Sequence, residues 1–139
     1  RFVQARRHRT RFDFARFIRD LLKRYPRARR IHLVLDNLNT HNATSLIESF
    51  GLQGAKALLK RIVWHHTPKH ASWLNMAEIE LNVLIGQCLN RRIAKIEVMR
   101  NEVKAWESAR NGMNARVNWH FTAEEARIKL NRLYPTLDM

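Results

Sequence analysis

The chain has 139 residues, enough for one domain with a single core, and it carries 26 Lys and Arg against 12 Asp and Glu, a formal charge of +14. Its 45% hydrophobic content argues against disorder, its one cysteine, Cys88, excludes a disulfide scaffold, and it has neither a membrane-length apolar run nor a signal peptide's apolar stretch, so a soluble, intracellular protein is expected. Such an excess of positive charge repels itself unless a polyanion shares its surroundings, which makes nucleic acid or an anionic membrane the leading partner class.

Twelve of the first thirty residues are Arg or Lys and two are Asp. Within this stretch Thr10, followed three residues later by Asp13, reads as a capping box, and Phe14, Phe17, Ile18, Leu21, Leu22 and Tyr25 fall on one stripe of a helix that ends at Tyr25-Pro26. Ile31 to Leu35 is a short apolar run that fits a strand buried on both faces, and it stops at Asp36. Asn42 can cap a helix bearing Leu46, Ile47 and Phe50, with Gly51 as its stop and a further short helical piece from Gln53 to Lys60. Arg61 to His66 reads as a second strand, and Trp73 to about Asn90 as a helix. Ile96, Met99, Val103 and Trp106 mark another amphipathic helix, and Thr122 with Glu125 opens a last one carrying Ala126, Leu130 and Leu133. The rhythm is that of an α/β unit with parallel strands, and the whole chain, 1–139, is treated as one domain. Two strands are few for a parallel sheet, so exposed strand edges and poor solubility of the chain alone are expected.

Two places could carry chemistry. Ligands of open α/β sheets gather beyond the carboxyl ends of the strands, where Asp36 stands; the plainer reading is that Asp36 caps the turn through Asn37 to His41. Glu78 is expected about one turn inside the helix after the second strand, on a face shared with Leu74, Asn75, Leu81 and Asn82, and Glu80 points about 200° away around the axis. A Glu on a half-buried face needs a partner, a metal ion being one; an exposed salt bridge is the plainer alternative. Zinc has little support, because Pro68 between His66 and His70 argues against a helical histidine pair and the single cysteine is distant. Ser72 has no base and acid in the order a hydrolase triad would need.

The strings Leu33-Val34-Leu35-Asp36-Asn37-Leu38-Asn39-Thr40-His41 and Thr67-Pro68-Lys69-His70-Ala71-Ser72-Trp73-Leu74-Asn75-Met76-Ala77-Glu78 resemble the catalytic domain of bacterial insertion-sequence transposases, in the mariner-related branch of the DDE superfamily. The resemblance runs through nearly the whole chain. It implies an RNase-H-like fold, here incomplete, lacking the first strands and carrying extra C-terminal helices. Asp36 and Glu78, with 41 residues between them, match the second and third catalytic acids. Nothing before Asp36 matches the first acid, since Asp13 and Asp20 fall in the first helix. The chain therefore looks like the C-terminal part of a longer transposase, inactive or nearly so alone. Met76 stands where relatives often have Pro, and Ala71 where close relatives often have Gly.

What the resemblance implies is DNA transposition: phosphodiester cleavage and strand transfer with two Mg²⁺ or Mn²⁺ ions in the complete enzyme, held by hard carboxylate oxygens. Asp36 and Glu78 would be catalytic and metal-ligating, their carboxyls within about 8 Å of each other. Asn37, His41 and Asn75 would orient ligands from behind them. Arg6, Arg7, Arg9, Lys69 and His70 are the candidate contacts to double-stranded DNA, at transposon ends and target. A homo-oligomer in the full-length protein, no membrane association and a cytoplasmic, nucleoid-associated location go with this reading. The competing reading is a non-catalytic nucleic-acid-binding or assembly domain derived from such an enzyme. A membrane binder would need an exposed apolar face beside the basic one, and the first helix needs its Phe stripe for the core.

Overall fold

The computed structural model describes residues 1–68 and 75–131. The first helix, α1 (Arg11–Arg24), begins at the Thr10 cap, whose hydroxyl accepts the Asp13 N–H while the Asp13 carboxylate accepts the Thr10 N–H, so both expected halves of the capping box are made. Strand β1 (Ile31–Leu35) leads to helix α2 (Ala43–Leu59), capped by Asn42 and bent at Gly51, whose φ of 70° and ψ of 167° interrupt the helical run where the sequence places a stop. Strand β2 (Ile62–His66) lies parallel to β1 with Ile31 opposite Ile62 and Leu35 opposite His66. Then come α3 (Ala77–Leu84) with a π-helical extension over Ile85–Leu89, α4 (Ile96–Gly112), and α5 (Ala123–Leu130), which opens on the Thr122 and Glu125 capping box. Leu133 lies outside the described residues.

Because side chains alternate along a strand, the register puts Ile31, Leu33, Ile62 and Trp64 on one face of the sheet. That face meets α1 and α2: Ala15, Ile18, Leu22, Leu46, Ala55 and Ile62 are buried together, with Phe14, Phe17, Ile47 and Phe50 packed around them. The Phe-bearing stripe of α1 is thus core. The expectation that β1 is buried on both faces is corrected. Burial alternates along the strand, and Val34 is 56% exposed. Its face carries His32 and His65, whose rings stack, and Val34 lines a hollow of about 470 Å³ together with Met76, Trp119, Phe121 and Ala126. An uninterrupted apolar run cannot say which of its faces is covered; that depends on how much polypeptide packs against the second face.

Among the described residues β1 pairs with β2 and nothing else, so the outer edges of both strands are open, as expected for a sheet of this size. No helix of the described residues is long and apolar enough to cross a membrane.

Candidate active site

Asp36 follows the last residue of β1, and three neighbours pin the backbone around it. The Thr67 N–H donates to the Leu35 carbonyl at 2.8 Å, extending the sheet by one bond past β2. The Asn37 side-chain amide donates to the Thr67 carbonyl, tying the two strand ends together. The chain then folds back so that the His41 N–H meets the Leu38 carbonyl at 2.8 Å, which returns the His41 ring to within 2.5 Å of Asp36, Nδ1 to Oδ1. A carboxylate only accepts, so the imidazole donates from Nδ1. His41 is fixed from its other side by Phe14 of α1, with ring centroids 4.7 Å apart, and by the His66 ring against its carbonyl at 2.8 Å. Asn37 and His41 therefore brace the strand end that carries Asp36. The carboxylate keeps its second oxygen unengaged among the described residues and its side chain is 40% exposed.

Glu78 sits in the first turn of α3, its side chain exposed and without a hydrogen bond or ion pair among the described residues. Glu78 is the second residue of α3, which begins at Ala77, and not one turn inside it as expected; Trp73, the expected start, lies outside the described residues. Asn75 sets the start at Ala77. Its side-chain oxygen accepts the Ala77 N–H at 3.1 Å and its carbonyl accepts the Glu78 N–H at 3.0 Å, two bonds that define the first turn of the helix. Met76, at the N-cap, makes no side-chain cap bond.

Glu80, two residues on, faces elsewhere. Its carboxylate is gripped by the guanidinium groups of Arg1, at 2.7 and 2.8 Å, and of Arg110, at 3.0 and 3.1 Å. These contacts hold its pKa down at about 2, with the Arg1 hydrogen bonds as the largest cause and those of Arg110 next. The Arg1 guanidinium is correspondingly raised. This clasp joins the segment before α1, residues 1–10 and here called the N-terminal strap, to α3 and α4. Sequence reasoning saw only that Glu80 points away from Glu78; its partners lie 79 and 30 residues away, and no local pattern announces them.

A groove of about 650 Å³ runs between the N-terminal segment with α1, the end of β1 with Thr40 and His41, and Asn75, Ala77 and Leu81 at the start of α3; residues next to both candidate acids line it, but Asp36 and Glu78 themselves do not. Among the described residues no three His, Cys, Asp or Glu side chains gather into a cluster able to cage an ion. The family model described as DDE superfamily endonuclease matches residues 1–100, a span that contains Asp36, Glu78 and the groove. The chain belongs to the DDE superfamily of endonucleases. No curated protein and no solved structure matches it. Membership makes this a nuclease-type domain whose substrate class is DNA and whose family typically works with divalent metals.

Of the basic residues singled out in this DDE domain, Arg6 and Arg7 make contacts within the chain. Arg6 reaches Gln4, Asp20 and, at 3.9 Å, Asp13, and Arg7 stands 3.7 Å from Glu97. Arg9 is exposed and makes no ion pair among the described residues. Lys69 and His70 lie outside the described residues.

Proposed function

We propose that this chain is part of the catalytic domain of a bacterial insertion-sequence transposase of the mariner-related branch, which cuts DNA and transfers the cut strand. The observation that carries the reading is the family match over a span holding both acids, one at the carboxyl end of a parallel strand and the other in the first turn of α3. Asp36 and Glu78 act as metal ligands. The donor set fits: both are hard carboxylates, one Asp36 oxygen and the whole Glu78 carboxylate are unengaged among the described residues, and both side chains reach solvent. Mg²⁺ or Mn²⁺, when bound, supplies charge neutralisation to the attacking and leaving oxygens of the phosphodiester. His41 holds one Asp36 oxygen and so fixes the direction of the other, and Asn75 fixes the helix turn that presents Glu78. DNA is contacted by basic residues, Arg9 among them. These 139 residues supply two of the three acids, so the chain alone is inactive or nearly so, and the full-length protein works as a homo-oligomer in the bacterial cytoplasm, at the nucleoid.

The Asp36–His41 contact also favours a second reading, a DNA-binding or assembly domain in which Asp36 serves as a structural acid. Mn²⁺ titration followed by electron paramagnetic resonance separates the two. In the first reading Asp36→Asn and Glu78→Gln each weaken Mn²⁺ binding at least about tenfold, since each removes a charged ligand. Binding that survives both substitutions leaves the second reading standing.

A further inference from the structure

Helix α1 presents two different faces. Its inner stripe is core, with Ala15, Ile18 and Leu22 no more than 2% exposed. Its outer side carries Arg16 and Lys23 in line, seven residues and so only about 20° apart around the axis, and the exposed Arg9 precedes the Thr10 cap at the start of the helix. The line continues into the turn after the helix with Arg27, Arg29 and Arg30. All six side chains are exposed, and none makes an ion pair or hydrogen bond among the described residues, although Arg16 lies near enough to Asp13 to help depress its pKa. The other arginines of this region behave differently. Arg6, Arg11 and Arg19 are paired with Asp20, Glu48 and Asp20, so the acids nearby are already taken.

The turn is held still by a further guanidinium. Arg61, at the start of β2, donates to the carbonyls of Tyr25 at 2.6 Å, Ala28 at 3.0 Å and Leu22 at 3.4 Å. Those three carbonyls end α1 and shape the turn, so Arg27, Arg29 and Arg30 stand on a braced support. Ordering them against a ligand therefore costs side-chain entropy but little backbone entropy.

The direction of the line is also fixed. Phe14 near the start of α1 stacks on His41, beside Asp36, whereas Arg61 holds the end of α1 at the opposite pole of the strands. Fourteen helical residues at about 1.5 Å each span about 21 Å. The path from Arg30 through β1 to Asp36 is of similar length, about 20 Å at about 3.3 Å per residue. Six cations along that distance match roughly six base pairs of duplex, which offer a negative charge about every 1.7 Å of axis.

We propose that Arg9, Arg16, Lys23, Arg27, Arg29 and Arg30 form a phosphate track that seats the backbone of duplex DNA along the outer side of α1, leading it toward the Asp36 pole. A membrane surface is the poorer partner, because binding it requires an apolar face beside the charges and that of α1 is in the core. The choice of DNA rests on the endonuclease reading; the track itself rests on geometry and charge.

The test is fluorescence anisotropy of a labelled duplex of arbitrary sequence, about 20 base pairs long, titrated with the 139-residue chain at several salt concentrations in EDTA, where cleavage is silent. The variant Lys23→Gln/Arg27→Gln/Arg29→Gln/Arg30→Gln is compared with a charge-matched variant, Arg92→Gln/Lys104→Gln/Arg116→Gln/Arg127→Gln. The first should lose about 3 to 4 from the slope of log K against log salt and bind at least about tenfold more weakly, and the second should lose less than about 1. Arg→Lys at Arg27, Arg29 and Arg30 should restore the slope, since counterion release needs charge rather than shape. Circular dichroism melting confirms that the exposed substitutions leave the fold intact. Equal losses in both four-residue variants overturn the track, as does dependence on these residues for vesicles rich in phosphatidylserine but not for duplex. Failure of the nuclease reading would show in metal binding and leave this measurement untouched.

Discussion

The Asp36 carboxylate and the His41 imidazole meet at 2.5 Å across a turn that folds back from the end of β1, and Phe14 of α1 backs the ring. An acid at a strand end is thereby connected to the helix that covers the sheet. His41→Ala removes the hydrogen bond to Asp36 and the stack on Phe14 together, and the expected cost is about 1 to 3 kcal/mol in urea unfolding. His41→Phe keeps the stack and loses only the hydrogen bond, so its cost should be the smaller of the two. If both variants unfold at the wild-type midpoint, the ring does not brace Asp36.

Glu80 makes stability depend on pH in a definite direction. Its folded pKa of about 2 lies below the usual 4.5, so the protein gains stability from it above 4.5 and loses that gain as pH falls from 4.5 toward 2. A side chain that is 16% exposed in a double guanidinium clasp can contribute on the order of 2 to 3 kcal/mol. Glu80→Gln should lower the melting temperature at pH 7 and flatten the acid limb, so that wild type and variant converge near pH 2. Parallel curves across that interval would show that the clasp is not what holds the strap, α3 and α4 together.

The features legible in the sequence are those decided within a few residues. Thr10 with Asp13, Asn42, and Thr122 with Glu125 stand at helix ends because a cap is a contact between near neighbours, and Gly51 bends α2 because its own backbone conformation decides it. The placement of Asp36 at a strand end was legible for the same reason, since an apolar run followed by Asp has few other readings. Three features were hidden by distance. Ile31 to Leu35 looks alike whether one face or both are covered, and only the packing of α1 and α2 against one side decides it. The start of α3 depends on the Asn75 side chain turning back to the Ala77 N–H, which an uninterrupted helical pattern conceals. The partners of Arg6, Asp13 and Asp20 on α1, come near it only because the segment before α1 lies back along that helix.

Gly51 offers a test of backbone strain free of packing. Its φ of 70° with ψ of 167° lies where L side chains are rarely found, and a Cβ built there meets nothing within 4 Å. Gly51→Ala should therefore cost about 1 to 3 kcal/mol from conformation alone. Gly112→Ala, at the end of α4 and equally open, has no positive φ and should be neutral or stabilising by up to about 1 kcal/mol. Thermal melting of the pair gives the comparison, and an unshifted Gly51→Ala would mean that the bend relaxes into a continuous helix.

The open side of the sheet predicts how the chain behaves as it is concentrated. Val34 is 56% exposed, His32 and His65 stack beside it, and the outer edge of β1 has no partner among the described residues. An unpaired edge beside an uncovered face favours pairing with a second copy, while a charge of +14 opposes it. The two effects respond differently to salt. Raising ionic strength from about 0.1 M to 1 M shortens the screening length from about 10 Å to about 3 Å, which removes the repulsion and leaves edge pairing and apolar contact intact. Sedimentation velocity should therefore show association that grows with salt, and Val34→Lys, which puts a charge on the uncovered face, should suppress it at both salt levels. Association that instead disappears at high salt would point to ion pairs between copies rather than to the sheet.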